Sequence, residues 1–238
     1  MNYTWASATD SGHVRDHNED SLSPTEDGSG PGPLVVAVAD GMGGHAAGEV
    51  ASRLAIEAAV TEVVDDLEAA VRVTRGNQAV VDATRADDQL AGMGTTLTLA
   101  IIGTDGVMHI AHIGDSRLYL FRDDELRLLT NDHTWVGELV ARGQLSPAEA
   151  ANHPRRHLLT RVLGMDSLTI DETTLDLVKR DRILVCSDGL TTMLEDARIA
   201  AHLRHEETAT GAAWALLEAA NAAGGFDNTS VVVVDVGP

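Results

Sequence analysis

Two hydrophobic rhythms run along this chain. Unbroken aliphatic and β-branched runs, "PLVVAVAD", "GTTLTLAIIG", "VMHIAHIGDS", "RLYLFRD", "DRILVCSDG" and "TSVVVVDVG", are each bounded by Gly, Asp or Asn, which predicts buried strands. Between the first two lies "GEVASRLAIEAAVTEVVDDLEAAVRVTRGNQAVVDATRADD", whose spaced Leu, Ile and Val predict two amphipathic helices turning near Glu68. A third helix is expected at "ETATGAAWALLEAANAAG", closed by Gly224 and Gly225. Residues from about 131 to 168 are polar and contain Pro147 and Pro154, so they read as short helices and loops inserted between strands, a candidate flap. With no internal repeat and no low-complexity linker, residues 1–238 read as one domain of strands interleaved with paired helices.

Composition narrows the partners. The chain is 44% hydrophobic, enough for a sizeable core, but carries 17 basic against 37 acidic residues, a formal charge of -20. Such a charge repels nucleic acid and anionic lipid, so neither is an expected partner. The single cysteine, Cys186, excludes an internal disulfide framework and suits a reducing compartment. The opening "MNYTWASATDSG" lacks the basic and apolar regions of a signal peptide, and no apolar run approaches the ~20 residues of a membrane span. A cytoplasmic protein is expected.

Position gives part of the acidity a meaning. Strand candidates end in Asp followed by a small residue at Asp40, Asp115 and Asp188, and Asp227 stands just before the last strand. A single such Asp is ordinarily a turn residue. Four can converge where strands pack side by side, and like charges that close stay ionised together only beside a cation. All-oxygen ligands, without a Cys or His pair at zinc-like spacing, favour Mg²⁺ or Mn²⁺. Nearby, "SGHVRDHNEDS" contributes Arg15, Glu19 and Asp20. On a helix Arg15 and Glu19 would form a surface ion pair, whereas on an extended segment Arg15 could face a substrate phosphate with its fork of donors.

Three other motifs compete. Gly41, Gly43 and Ala46 match a dinucleotide fingerprint and would make the chain a nucleotide-binding oxidoreductase. That unit returns to a parallel strand within about 30 residues, yet here two helices intervene before a strand about fifty residues on. Cys186 lacks the arginine a cysteine phosphatase needs six residues later, where Thr192 stands, and "GDSRL" has Leu118 where a nucleophile elbow needs glycine.

In order, "RDHNED", "VADGMGGHAAGE", "GTT", "AHIGDSRLYLF", "LTNDHT", "RVLG", "SDGL" and "DNTSVVVVDV" resemble the metal-dependent type 2C serine/threonine protein phosphatases, particularly their bacterial branch, from Thr9 to Val236. The resemblance implies an α+β fold, a central β-sandwich of two antiparallel sheets flanked by pairs of α-helices, with the flap inserted. It implies two core Mn²⁺ or Mg²⁺ ions and a third, weaker one. Asp40 would bridge the core pair, Asp188 and Asp227 would hold one ion and the Gly41 carbonyl the other. Asp115 with Asp188 would take the third. Glu19 and Asp20 would hold metal-bound waters or touch the second metal directly, Asn228 would stand behind the ligands, and Arg15 would bind the substrate phosphate. A metal-bridging water would attack phosphoserine or phosphothreonine in line, without a phosphoenzyme. Animal members place a histidine, a proposed general acid, where this chain has Met42; the candidate replacements are His45 and a metal-bound water. Expected partners are phosphorylated proteins opposite a bacterial Ser/Thr kinase, met by a monomer. The alternative is a catalytically silent module that only binds phosphoproteins.

Overall fold

The C-terminal valine run shows why the apolar stretches are unbroken. Val231 and Val233 join one buried cluster while Val232, Val234 and Val236 join another, so both faces of this strand are covered. Burying a valine side chain contributes ~1.5–3 kcal/mol, so every position of the run adds to stability and alternation disappears. The structure, a computed structural model, describes residues 1–43, 46–61 and 68–237.

The strands are β1 (Tyr3–Asp10), β2 (Asp20–Ser23), β3 (Gly28–Gly30), β4 (Leu34–Met42), β5 (Gly94–Thr95), β6 (Leu97–Ile102), β7 (Val107–Ile113), β8 (Arg117–Arg122), β9 (Glu125–Leu128), β10 (Asp171–Asp176), β11 (Arg182–Cys186) and β12 (Thr229–Val236). One sheet has the order β3-β1-β12-β11-β8-β9 and the other β10-β7-β6-β4-β2, with β5 paired to β4. Neighbouring strands are antiparallel throughout, as between β4 and β6 or β11 and β12. The sheets meet face to face over Val36, Val38, Ile102, Leu118, Ile183 and Val232. This is the expected sandwich, and its antiparallel order excludes the dinucleotide reading.

Helices cover both outer faces. Ala37, Ala39, Leu99 and Ile101 turn away from the sandwich toward α1 (Ala46–Val60) and α2 (Ala69–Ala86), the expected pair. Against the other sheet lie α5 (Asp188–Met193), α6 (Asp196–His205) and α7 (Ala209–Ala222), through Leu190, Ile199, Leu203 and Leu216. The flap contains α3 (Trp135–Ala141) and α4 (Pro147–Ala151), the latter opened by Ser146 and Glu149 as a reciprocal cap. Its return is fastened beside β5: Leu163 N donates to Thr95 O at 2.8 Å, and Gly164 N to Asn77 Oδ1 of α2 at 2.8 Å. The flap is thereby held at the sandwich end where β4 and β11 terminate. Among the described residues no helix is long and apolar enough to cross a membrane.

Candidate metal centre

Strand pairing sets the first two carboxylates side by side. Asp20 of β2 stands directly opposite Asp40 of β4, and residues paired across antiparallel strands project to the same face. The backbone of Asp40 is pinned: its N donates to Thr96 Oγ1 at 2.8 Å, and its carbonyl accepts from Thr96 N at 2.9 Å and Thr95 Oγ1 at 2.8 Å. Thr96 Oγ1 also meets Ser116 Oγ at 2.7 Å, which ties Asp40 to the turn bearing Asp115. Asp188 enters at the start of α5, and Asp227 just before β12.

These carboxylates share one pocket. Burial first, then the charges of Asp20, Asp188, Asp115 and Asp227, holds the Asp40 carboxyl well above its ordinary range. Asp115 is pushed up to about 8 by burial and by the charges of Asp188 and Asp132. Asp20 is pushed up to about 7 by burial and by the charges of Asp188 and Asp227, against a 2.7 Å bond from Ser187 Oγ to its Oδ2 that favours the ion. Its other oxygen, Oδ1, is buried and unpartnered among the described residues. An unsatisfied buried carboxylate oxygen costs kcal/mol, and a divalent cation would relieve both that cost and the repulsion. The donor set therefore fits Mg²⁺ or Mn²⁺. Among the described residues no three Asp, Glu, His or Cys side chains are grouped to hold one ion alone. Backbone carbonyl and non-protein oxygens are needed to complete a shell, which suits ions that retain several waters.

Gly41 can offer such a carbonyl because nothing but glycine fits there. Its N donates to Glu19 O at 3.1 Å, and an added Cβ would lie 2.5 Å from that same oxygen and inside contact distance of the Gly48 carbonyl. A Cβ added to Gly48, in the first turn of α1, would lie 2.9 Å from the Glu19 carboxyl. Glu19 is itself raised, chiefly by burial. Asn228 has a structural post beside the pocket: its Oδ1 accepts from Glu19 N at 2.8 Å, and its Nδ2 donates to Ser11 O and His17 O. One buried amide thus fastens the loop that carries Arg15.

That loop is not helical, and Arg15 points away from an i,i+4 pair. Its Nη2 donates to Asp227 Oδ2 at 2.8 Å, with the side chain about half exposed, and that bond raises its already high pKa. The guanidinium therefore lies at the mouth of the carboxylate pocket, where a phosphate could take its other donors.

Sequence reasoning missed several neighbours. Ser187 receives Ser230 N and donates to Asp20, a contact 167 residues apart. His157 Nδ1 of the flap comes within 3.7 Å of Asp188 Oδ2, and Thr96 links Asp40 to the Asp115 turn. Thr96 and Ser187 stand inside the fragments "GTT" and "SDGL", but no spacing signals the contacts that these two residues and His157 make. His45 lies outside the described residues. Met42 ends β4 as an exposed side chain, and its thioether has no proton to give at the position where the animal enzymes have histidine.

Residues 11–222 match the sequence profile of the family described as Protein phosphatase 2C. The serine/threonine protein phosphatase PstP of Mycobacterium tuberculosis is 43% identical over 98% of this chain, which spans 45% of PstP. The serine/threonine phosphatase stp of Listeria innocua is 38% identical over 95% of this chain and 93% of its own length. A crystal structure of the PstP catalytic domain with two manganese ions superimposes with a TM-score of 0.88 at 39% identity, covering 100% of both chains. By fold, by profile and by identity over nearly its whole length, the chain belongs to the protein phosphatase 2C family.

Proposed function

We propose that this chain is a metal-dependent protein phosphatase that hydrolyses phosphoserine and phosphothreonine. The observation that carries the reading is the convergence of Asp20, Asp40, Asp115, Asp188 and Asp227 with Arg15 beside them: Asp20 stands opposite Asp40 across β2 and β4, the charges of Asp188 and Asp227 reach both, and Arg15 bonds Asp227. Asp40, Asp188, Asp227 and the Gly41 carbonyl would hold two Mn²⁺ or Mg²⁺ ions, and Asp115 with Asp188 would accept a third. When bound, the ions supply Lewis acidity toward phosphoryl oxygens and acidify water, the two things a slow, anion-repelling hydrolysis requires.

The chain's own groups do the rest. Arg15 binds the phosphoryl group through the N–H donors that Asp227 leaves free, and orients it toward the carboxylate pocket. Asp20, held by Ser187, keeps one oxygen available to accept a hydrogen bond inside the pocket. Glu19, on the loop that Asn228 fastens, is near enough for its charge to act on Arg15. Gly41 and Gly48 let β4, α1 and that loop close to backbone contact, which excludes bulk water beneath the site.

The direct test is phosphate release from a phosphothreonine peptide with excess Mn²⁺, repeated after EDTA. No release with Mn²⁺ would refute the proposal, and peptide binding without turnover would establish the silent-module alternative. The proposal extends to phosphoproteins made by a bacterial Ser/Thr kinase and to a monomer acting in the cytoplasm, which sedimentation and cell fractionation test.

A further inference from the structure

The chain holds more than twice as many acids as bases, so two adjacent cations without an acidic partner stand out beside a pocket of carboxylates. Most arginines are paired, as Arg117 with Asp132, Arg122 with Asp181 and Arg182 with Asp235. Arg155 and Arg156 are not: among the described residues neither forms an ion pair or a side-chain hydrogen bond, and both are exposed. Acids of the flap that could neutralise them are engaged elsewhere, Glu138 with Arg142, Glu149 with Ser146 and Asp166 with Arg85.

Their place is specific. His157, which approaches Asp188 to 3.7 Å, follows them directly, so Arg156 and Arg155 are at most ~4 and ~7 Å of backbone from a residue touching the carboxylate pocket. Arg155 also has a stacking partner: its guanidinium carbon lies 5.7 Å from the Trp135 ring centroid, while Trp135 N donates to Leu158 O at 2.8 Å. An arginine held over an aromatic face keeps its N–H edge free for an anion. Lys179 and Arg180, an adjacent pair also without ion-pair partners among the described residues, precede β11 and so lie at the opposite end of the sandwich from Asp188.

We propose that Arg155 and Arg156 form an anion-selective rim that favours phosphosubstrates with carboxylate side chains within a few residues of the phosphorylated Ser or Thr. This rests on the phosphatase reading above and names its substrate class. The overall charge of -20 argues for basic substrates at long range, but with a screening length of ~8 Å at physiological salt the nearest charges decide at contact. An extended peptide advances ~3.4 Å per residue, so side chains a few positions from the scissile phosphate fall within arginine reach.

The test uses three phosphothreonine peptides differing only in Glu, Gln or Lys flanks, with p-nitrophenyl phosphate as a flank-free substrate, all with Mn²⁺. The unmodified chain should prefer the Glu-flanked peptide, and that preference should shrink as salt rises. The double variant R155Q/R156Q should lose about tenfold in kcat/KM on the Glu-flanked peptide and less than about twofold on the Gln-flanked peptide and on p-nitrophenyl phosphate. K179Q/R180Q should keep the preference. Equal rates on all three peptides, or an equal loss on all three in R155Q/R156Q, overturns the rim. Absence of turnover on every substrate by the unmodified chain instead overturns the phosphatase reading.

Discussion

Removing divalent ions should make this protein's stability fall as pH rises. An aspartate of the unfolded chain loses its proton near 3.8, whereas folded Asp20 keeps its proton to about 7 and Asp115 to about 8. Over that interval the metal-free folded chain binds more protons than the unfolded chain, so raising the pH favours unfolding. With Asp20 alone as the scale, the full effect is ~4 kcal/mol, of which ~3 kcal/mol is lost between about pH 5 and pH 8. At ~2–4 °C per kcal/mol for a chain of 238 residues, Tm should drop by ~6–12 °C. Scanning calorimetry in EDTA across that range measures it. Excess Mn²⁺ should abolish the drop, because a cation in the pocket neutralises the ionised carboxylates without protons. Asp20→Asn should flatten the EDTA profile by its share, which separates this pocket from the general effect of net charge. A metal-free Tm that is constant or rises from about pH 5 to pH 8, or an unchanged slope in Asp20→Asn, would refute the reasoning.

Three substitutions probe the remaining roles. Asp40→Ala should lower Mn²⁺-dependent kcat by at least about a thousandfold, and near-normal turnover in a steady-state assay would contradict its central place. Arg15→Ala should raise KM for a phosphopeptide about tenfold with little change in kcat, since it removes one half-exposed charged hydrogen-bond partner of the phosphate; an unchanged KM counts against the contact. Gly41→Ala should cost about 1–3 kcal/mol, because its Cβ would enter the Gly48 and Glu19 carbonyls, and should weaken Mn²⁺ binding measured by titration calorimetry; full stability with full affinity would deny the close approach.

Much of the fold was legible because most strands are buried on both faces. The runs ending at Asp40, Asp115 and Asp188 read as strands for that reason, and the two expected helices are α1 and α2, the second starting just after Glu68. Where one face is open the signal faded. β1, "YTWASATD", mixes polar and small residues, and β10, "DETTLD", is an exposed edge of acidic and hydroxyl side chains. Helices α5 and α6 were missed as well, the first a mere six residues long and opening on Asp188, one of the acidic site candidates.

The candidate site divides along the same line. The sequence by itself determined the inventory: aspartates at strand ends, a glycine after Asp40, one arginine in a short loop, and an excess of acids. These are local properties, set by residue type and by the rhythm of buried positions. Tertiary structure alone decided that Ser187 reaches Asp20 across 167 residues, that Arg15 bonds Asp227 rather than Glu19, and that His157 comes to Asp188. Burial and Coulomb repulsion depend on distance in space, not on separation along the chain. Whether an aspartate is an ordinary turn residue or holds its proton to about 7 or 8, as Asp20 and Asp115 do, is therefore settled only when the sheets close.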